Sequence, residues 1–268
     1  MKHRILELND MTDTILIHPD RTRTNIRPLK ALHHFRNLIA DKEDTEQVFH
    51  ITENLRGPRY TKDAVAFLQS PMGRKLRNSK EFLPDILDDH AALWDLPAGS
   101  LGRAYVEFME REGLTANGLV EENAKFTSKM PHYGDQLEWF HNRLRDTHDM
   151  NHILTGYGRD PLGEQCVLAF SYAQNFSLGF WLIAYAGGWE VKKRAPSGAP
   201  IFKAIRQAQR NGAKAKIIGH QDIVALLLLP LEEVRQMLNI AAPTQYVTAH
   251  EVYDRAGVNP HDGLVLAA

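Results

Sequence analysis

The chain has 268 residues, of which 43% are hydrophobic and 24% are charged. This composition is ordinary for a globular protein, and at roughly 100–200 residues per domain the length allows one large domain or two small ones. The 32 basic and 33 acidic side chains leave a formal net charge of -1, which argues against general nucleic-acid binding, and the single cysteine, Cys166, excludes an intrachain disulfide.

Helical periodicity runs through most of the chain. Pro28 opens the first predicted helix, whose apolar residues fall at near-helical spacing: Leu29, Leu32, Phe35 and Ile39. Further elements are predicted in chain order: helices over 44–55, 63–68, 72–76, a turn at 96–100, and helices over 101–112, 135–154, 161–186, 201–211 and 231–239. No alternating apolar and polar run is long enough for a sheet, so the sequence predicts an all-α fold.

Asp160 is predicted to cap the helix that begins at Pro161. Beyond Ala241, the residues from Thr248 to Glu251 resemble a capping box before one short helix. The first ten residues lack the apolar core of a signal peptide, which predicts a cytoplasmic protein.

The longest uncharged stretch runs from Gln165 to Trp189. A bilayer needs about 20 such residues, so the stretch is long enough to span one. It contains polar side chains, among them Ser171, Gln174, Asn175 and Ser177. The sequence leaves open a buried core helix, a helix lining a lipid pocket and a transmembrane helix.

The pattern His148, Asp149 and His152, followed after eleven residues by Glu164, points most directly to chemistry. Residues four apart lie on one face of a helix, so the two histidines are predicted neighbours, with Asp149 about 100° round the helix. Glycines and a proline in the interval predict a turn, so that Glu164 opens a returning helix beside His152. The pattern predicts a divalent metal site on a helical hairpin.

Two imidazoles with one or two carboxylates suit a divalent ion such as zinc, and they also resemble the set that holds non-haem iron. The residues alone do not choose between these metals. Leu137, Phe140 and Leu144 form an apolar stripe that the two histidines continue, which places the histidines inward, where they need partners. In the alternative interpretation, Asp149 or a backbone carbonyl holds each histidine without a metal.

The histidine motif, its eleven-residue interval and Glu164 together resemble the signature of the coenzyme Q (ubiquinone) biosynthesis protein four family. Five further features support this resemblance: Pro71-Met-Gly73-Arg74, Leu96-Pro97-Ala-Gly99-Ser100-Leu101-Gly102 with Tyr105, Arg143-Leu-Arg145, Gly163-Glu164, and Leu231-Glu-Glu-Val-Arg235 with Leu238. The resemblance covers about residues 25–240, leaving 1–24 as an N-terminal extension and 241–268 as a C-terminal tail. Departures at 136–141 and after Arg77 indicate a divergent member.

The resemblance implies a single helical domain that binds a divalent metal, taken to be zinc, with iron, manganese and magnesium as alternatives. Its implied substrate is a polyprenylated 4-hydroxybenzoate-derived ring, and its implied activity is that of a lyase, removing the carboxyl at ring carbon 1. That decarboxylation needs an oxidant if carbon 1 also gains oxygen. The implied partners are a second copy of the chain, other ubiquinone-biosynthesis enzymes and the inner face of the membrane, which the protein would contact peripherally.

On this interpretation His148, Asp149, His152 and Glu164 hold the metal. Arg143 and Arg145 precede the first histidine, and their forked donors suit the ring carboxylate. The alternative for these arginines is a surface ion pair with a residue such as Asp146.

A polyprenyl tail needs a long apolar groove, and its predicted lining is Phe170, Phe176, Phe180, Trp181 and Ile183. Plain core packing is the alternative for these residues. The following basic residues are predicted either to face anionic lipid headgroups or to form a solvated face: Lys192, Lys193, Arg194, Lys203, Arg206, Arg210, Lys214 and Lys216.

Two other functions compete with decarboxylation. The protein would be non-catalytic if it bound a polyprenyl intermediate and organised partner enzymes around a structural metal. A metal phosphohydrolase also uses histidine–aspartate pairs, although its ligands come in a different order.

Overall fold

The computed structural model describes residues 15–21, 26–40, 46–79, 81–128 and 131–261. Over these residues the fold is all-α, as the sequence predicts, and β-type pairing is limited to an isolated bridge between Ser100 and Pro230. None of the helices within these ranges is long and apolar enough to cross a membrane.

The helices of this part of the chain are α1 (Pro28–Ala40), α2 (Glu46–Asn54), α3 (Pro58–Leu68), α4 (Pro71–Asn78), α5 (Leu83–Leu87), α6 (His90–Trp94), α7 (Leu101–Glu112), α8 (Ala116–Thr127), α9 (Gln136–Asp146), α10 (His148–Thr155), α11 (Pro161–Asn175), α12 (Leu178–Arg194), α13 (Ile201–Lys214), α14 (Ile223–Leu227), α15 (Leu231–Met237) and α16 (Thr244–Ala256). A 3-10 turn at Ile218–His220 precedes α14. The helices belong to two compact units, each assembled from separate stretches of the chain.

The first unit comprises Thr61–Met150 and Ile218–Val234, with the described part of Met1–Thr24. The predicted turn before α7 is confirmed, because Gly99 adopts a positive φ of 80° and Ser100 caps the helix by accepting from the amide of Arg103. The Leu101 amide donates to the carbonyl of Leu229, and the Leu231 amide donates to that of Gly99. These bonds hold the start of α7 beside the start of α15.

The second unit comprises Asn25–Tyr60, Asn151–Ile217 and Arg235–Ala268, as far as these are described. Helix α11 lies at its centre, packed against α12 and α13, and most of its side chains are buried. Gly212 lets α13 approach α11 closely, since a Cβ there would collide with the carbonyl oxygen of Phe170. Gln174 donates to the Gly212 carbonyl at 2.8 Å.

The prediction of one helix from 161 to 186 is wrong. Helix α11 ends at Asn175, Phe176 adopts a left-handed φ of 55°, and α12 begins at Leu178. The core interpretation holds for the α11 half of the uncharged stretch, where Cys166, Val167 and Phe170 are fully buried. Because the break divides the stretch, neither half forms a bilayer-spanning helix.

The prediction of an unbroken helix over 135–154 is also wrong. Thr147 leaves helical geometry at φ -100° and ψ 8°, which separates α9 from α10. Its hydroxyl and its amide both donate to the Arg143 carbonyl, at 3.0 and 3.1 Å, so the side chain shares this acceptor with the backbone. His148 is therefore the first residue of a new helix.

Helix α1 is confirmed, but of its four predicted apolar residues only Phe35 packs, half-buried, against a core. Leu29, Leu32 and Ile39 are exposed, whereas Ala31 and Leu38 are buried. These two side chains pack in a core with Ile51, Leu55 and Ile183. Small Ala31 allows α1 to pack closely there, which the spacing of large apolar residues does not reveal.

The predicted capping box near the C-terminus is wrong as well. Helix α16 starts at Thr244, preceded by Pro243, so Thr248 lies inside it. The Thr248 hydroxyl donates to the Thr244 carbonyl at 3.0 Å instead of capping a helix start. Within the second unit α16 packs on α13 and buries Tyr246, Ala249 and Tyr253.

Candidate metal centre

The short helix α10, the first turn of α11 and the turn between them build the centre. The Gly156 amide donates to the His152 carbonyl at 2.9 Å, and Gly156 ends α10 with a positive φ of 75°. Asp160 caps α11 as predicted, accepting from the amides of Leu162 and Gly163 at 3.1 and 3.2 Å, and Pro161 is the first helical residue. Glu164 therefore lies in the first turn of α11.

The hairpin brings together three of the four predicted metal ligands. His148 and His152 lie one turn apart on α10, and each offers a nitrogen within 4.8 Å of the other and of a carboxylate oxygen of Glu164. His152 and Glu164 are buried, and Nε2 of His152 lies 3.6 Å from Oε2 of Glu164. Ligands of a tetrahedral zinc ion lie roughly 3.4 Å apart, so the spacing suits a small divalent cation.

The second nitrogen of His152 shows how the turn orients the imidazole ring. Nδ1 lies 3.0 Å from the carbonyl oxygen of Tyr157, which can only accept a hydrogen bond. We therefore infer that Nδ1 carries a proton, which leaves Nε2, 3.6 Å from Oε2 of Glu164, as the nitrogen that a metal would bind. A backbone bond to the other nitrogen is the usual arrangement for a metal-binding histidine.

Asp149, the fourth predicted ligand, lies outside this three-residue group. It follows His148 in the first turn of α10 and is half-buried. Burial raises the pKa of Tyr105 well above its usual range, and the charge of Asp149 raises it further. Asp149 and Tyr105 thus influence each other electrostatically within the first unit.

Arg159 is a site residue that the sequence analysis missed. It lies in the turn, its side chain is 18% exposed, and its Nε is 3.6 Å from Oε1 of Glu164. One oxygen of Glu164 therefore faces His152, and the other faces a guanidinium. The available signal was the position of Arg159 inside the eleven-residue interval of the motif.

The two arginines predicted to bind substrate have protein partners. Arg143 is buried and donates to the carbonyls of Gly219 and Gln221. Burial lowers the pKa of Arg143 to about 10. Arg145 donates to Asp146 with 2.6 and 2.8 Å bonds, which is the alternative ion pair that the sequence left open. Their role in substrate binding stays a prediction.

The four aromatic residues predicted to line a lipid pocket lie in different surroundings. Phe170 is fully buried in α11, while Phe176 is half-buried with the Arg59 guanidinium 3.4 Å from its ring centroid. Phe180 is half-buried, and Trp181 is exposed on α12. Their role as a groove stays a prediction.

Fold and donor set together define a class: an all-α protein whose helical hairpin presents two histidines and a glutamate as a candidate metal centre. The family model described as Coenzyme Q (ubiquinone) biosynthesis protein Coq4 matches residues 30–244. The chain belongs to this family.

Individual relatives agree with this assignment. The mitochondrial ubiquinone biosynthesis protein COQ4 homolog of Rattus norvegicus is 30% identical over 160 residues, 59% of this chain and 57% of the relative. The Danio rerio homolog is 28% identical over 209 residues, 70% of this chain and 73% of the relative. The Botryotinia fuckeliana protein coq4 is 26% identical over 180 residues, 66% of this chain and 60% of the relative. The chain thus spans less than two-thirds of the length of the rat and fungal relatives.

A solved structure shares the fold. The crystal structure of a Nostoc punctiforme protein, provisionally assigned to ubiquinone biosynthesis, matches with a TM-score of 0.58 and 19% identity. The match covers 81% of this chain and 100% of that chain. At this identity the likeness shows the fold alone.

Proposed function

We propose that this chain serves ubiquinone biosynthesis as a metal-dependent decarboxylase of a polyprenylated 4-hydroxybenzoate-derived ring. The observation that carries the proposal is the convergence of His148, His152 and Glu164 between α10 and α11. We favour zinc as the divalent ion that these residues would hold. The ion would act as a Lewis acid toward the ring carboxylate or the phenolic oxygen. The relatives, named as ubiquinone biosynthesis proteins, support the pathway.

The proposed reaction exchanges a carboxyl group for hydrogen at ring carbon 1. The bond to the carboxyl carbon breaks, carbon dioxide leaves, and a proton from solvent completes a new carbon–hydrogen bond with that electron pair. The para oxygen makes the ring electron-rich and so assists protonation. This exchange of carbon dioxide for a proton is balanced in atoms and electrons, so the reaction needs no oxidant. The chain contributes the ligands, the orientation of the ring and the partial exclusion of water around buried His152 and Glu164.

We propose that Arg159 binds the anionic carboxylate of the substrate. Its guanidinium lies beside Glu164 at the candidate centre, and a forked donor matches a carboxylate. Arg143 already donates to main-chain carbonyls, and Arg145 already donates to Asp146. These contacts favour Arg159 over both as the residue that binds the substrate carboxylate.

A polyprenylated substrate resides in a membrane, and we propose that one surface of the second unit contacts it. We call this surface the aromatic face: Trp181, Tyr185 and Trp189 of α12 with Phe202 of α13. Neighbouring ring centroids along it lie 5.3 to 6.4 Å apart. Trp181 and Trp189 are 42% and 59% exposed, and tryptophan and tyrosine favour the interfacial layer of bilayers.

The charges around the aromatic face suit an anionic lipid surface. The same two helices carry seven exposed cations: Lys192, Lys193, Arg194, Lys203, Arg206, Arg210 and Lys214. The acid nearest to them in sequence, Glu190, is paired with Lys193 at 2.7 Å. An aromatic row flanked by basic side chains is the composition of an interfacial anchor.

The decisive experiment analyses quinone lipids by mass spectrometry in a host that lacks this gene. Rescue with the wild-type chain is compared with rescue by His148→Ala and Glu164→Gln. Both variants are expected to leave a prenylated ring that still bears its carboxyl, while their amount and melting temperature match the wild type. Exposed His261, replaced by alanine, is the matched control and is expected to restore normal lipids.

Normal ubiquinone with the two ligand variants would contradict the catalytic proposal. It would favour the non-catalytic function, in which the chain binds a polyprenyl intermediate and organises other enzymes.

A further inference from the structure

Asp160 uses its two carboxylate oxygens for different tasks. Oδ1 caps α11, and the backbone carbonyl of Asp160 accepts from the Glu164 amide at 3.0 Å. Oδ2 accepts from the hydroxyl of Tyr246 and lies 3.3 Å from Nε2 of His250. The carboxylate that starts the Glu164 helix is therefore held from the other side by α16.

Tyr246 joins the two ends of the turn between the ligand helices. Its hydroxyl donates to Asp160 and accepts from the amide of Gly158 at 3.0 Å. Its ring packs edge-on against Tyr157, with centroids 5.4 Å apart. Gly158 leaves room for this contact, because a Cβ there would lie only 2.8 Å from the Tyr246 hydroxyl. Tyr157 is also the residue whose carbonyl orients His152.

The segment leading into α16 holds the far end of α10 as well. Arg235 donates to the carbonyls of Ile153 and Leu154 at 2.8 and 2.9 Å, which satisfies the C-terminus of the histidine helix. Gln207 of α13 in turn bonds Thr244 and Gln245 at 2.7 and 2.8 Å, fixing the start of α16.

The hydrogen bonds that Asp160 accepts favour its ionised form. Burial raises the pKa of the carboxyl, but hydrogen bonds from His250 and Tyr246 outweigh burial and hold it below its usual value. The family match ends at residue 244, so Tyr246 and His250 lie just beyond it.

From these contacts we infer that α16 is a latch that positions the metal ligands, with Tyr246 and His250 acting as positioning residues through Asp160. The latch holds the turn so that Glu164 and His152 face each other. This inference rests on the metal centre proposed above, because its purpose is to set that ligand geometry.

The test uses the full chain and compares Tyr246→Phe with Tyr253→Phe, a matched change at another buried tyrosine of α16. In the metal-free chain, amide hydrogen exchange at residues 158–164 is expected to accelerate about tenfold in Tyr246→Phe, because one charge-assisted hydrogen bond is lost. Co²⁺ binding, followed by visible absorption, is expected to weaken by a similar factor. Tyr253→Phe is expected to match the wild type in both measurements. His250→Gln, at a more exposed position, serves as a second variant with the same expected direction.

Wild-type exchange at residues 158–164 in both Tyr246→Phe and His250→Gln would overturn the latch. Faster exchange with unchanged Co²⁺ affinity would overturn its positioning role. Failure of the proposed metal centre looks different: the wild-type chain itself takes up no Co²⁺, while the exchange measurement still reports on the contact between α16 and the turn.

Discussion

Nε2 of His152 lies 3.6 Å from Oε2 of Glu164, while Nδ1 of the same ring lies 3.0 Å from the carbonyl oxygen of Tyr157. One ring thus links the end of α10 to the first turn of α11. The backbone contact orients the imidazole, and the glutamate provides the negative charge that a cation requires. The geometry of the site is therefore set by the backbone of the hairpin as well as by the ligand side chains.

The ligand set makes a direct prediction about affinity. Glu164→Gln is expected to weaken Zn²⁺ binding by more than about 100-fold, since it removes the buried carboxylate charge from the donor set. Asp149→Asn is expected to bind within about threefold of the wild type, because Asp149 lies outside the three-residue group. Isothermal titration with a competing chelator measures both. An equal loss in Asp149→Asn would instead support the four-ligand prediction made from the sequence.

Close packing in the turn predicts a stability effect at Gly163. A Cβ at this residue would collide with the carbonyl oxygen of Gly158, a backbone atom that cannot move aside cheaply. Gly163→Ala is expected to lower the free energy of unfolding by about 2 kcal/mol, as overpacking does in general. Gly57→Ala is the control, since its Cβ would meet only the Ile26 side chain at an ordinary 3.6 Å. Urea denaturation compares them, and equal stabilities would show that the turn can relax.

The aromatic face predicts a membrane affinity that depends on two tryptophans. Joint replacement of Trp181 and Trp189 by serine is expected to weaken binding to vesicles of phosphatidylcholine and phosphatidylglycerol by at least about tenfold. Leu228→Ser is the control, because Leu228 is 60% exposed and lies outside that face. Vesicle flotation measures the bound fraction.

The basic residues beside the aromatic face allow the electrostatic part of membrane binding to be tested apart from the burial of the tryptophans. Lys192→Glu with Lys193→Glu is expected to weaken binding to the anionic vesicles by about 1 kcal/mol for each charge and to leave binding to neutral vesicles unchanged. Lys62→Glu, at an exposed lysine of α3, is the matched control. Wild-type affinity in the tryptophan and lysine variants alike would show that this surface faces solvent.

Local signals in the sequence predicted much of the hairpin. The cap at Asp160, the proline at the first helical position and the histidines one turn apart all depend on neighbouring residues, and the structure contains each of them. The same local reasoning missed the breaks at Thr147 and Phe176, because a hydroxyl-to-carbonyl bond and a left-handed residue leave no periodic signal.

Contacts between distant parts of the chain were beyond sequence reasoning altogether. Tyr246 meets Asp160 across 86 residues, and Arg143 meets Gly219 across 76. Nothing in the spacing of either pair indicates that they touch. The sequence thus predicted that His148, His152 and Glu164 lie together, but not the side chains that hold the turn between them, nor the partners of the predicted substrate arginines.

A buried histidine in the first unit predicts how stability depends on pH. His220 stacks on Phe67, with ring centroids 3.9 Å apart and planes 5° from parallel. Burial, together with the positive charge of Arg143, lowers the pKa of His220 from 6.5 to about 4, while Asp63 opposes both. The folded protein therefore keeps this ring neutral at pH values where an unfolded chain would protonate it.

The sign of the effect follows from proton binding. Between pH 6.5 and pH 4 the unfolded state binds more protons at this residue, so the free energy of unfolding falls as the pH is lowered through that window. The loss is expected to reach roughly 3 kcal/mol at most, and the full contribution is present above pH 6.5. His220→Gln is expected to be less stable at pH 7, since it loses the ring stack, yet to show a flatter decline toward pH 4. His261→Gln, at an exposed histidine, is expected to keep the wild-type slope. Urea titrations at half-unit pH steps measure the slopes, and an unchanged slope in His220→Gln would show that His220 already protonates near its ordinary pKa in the folded chain.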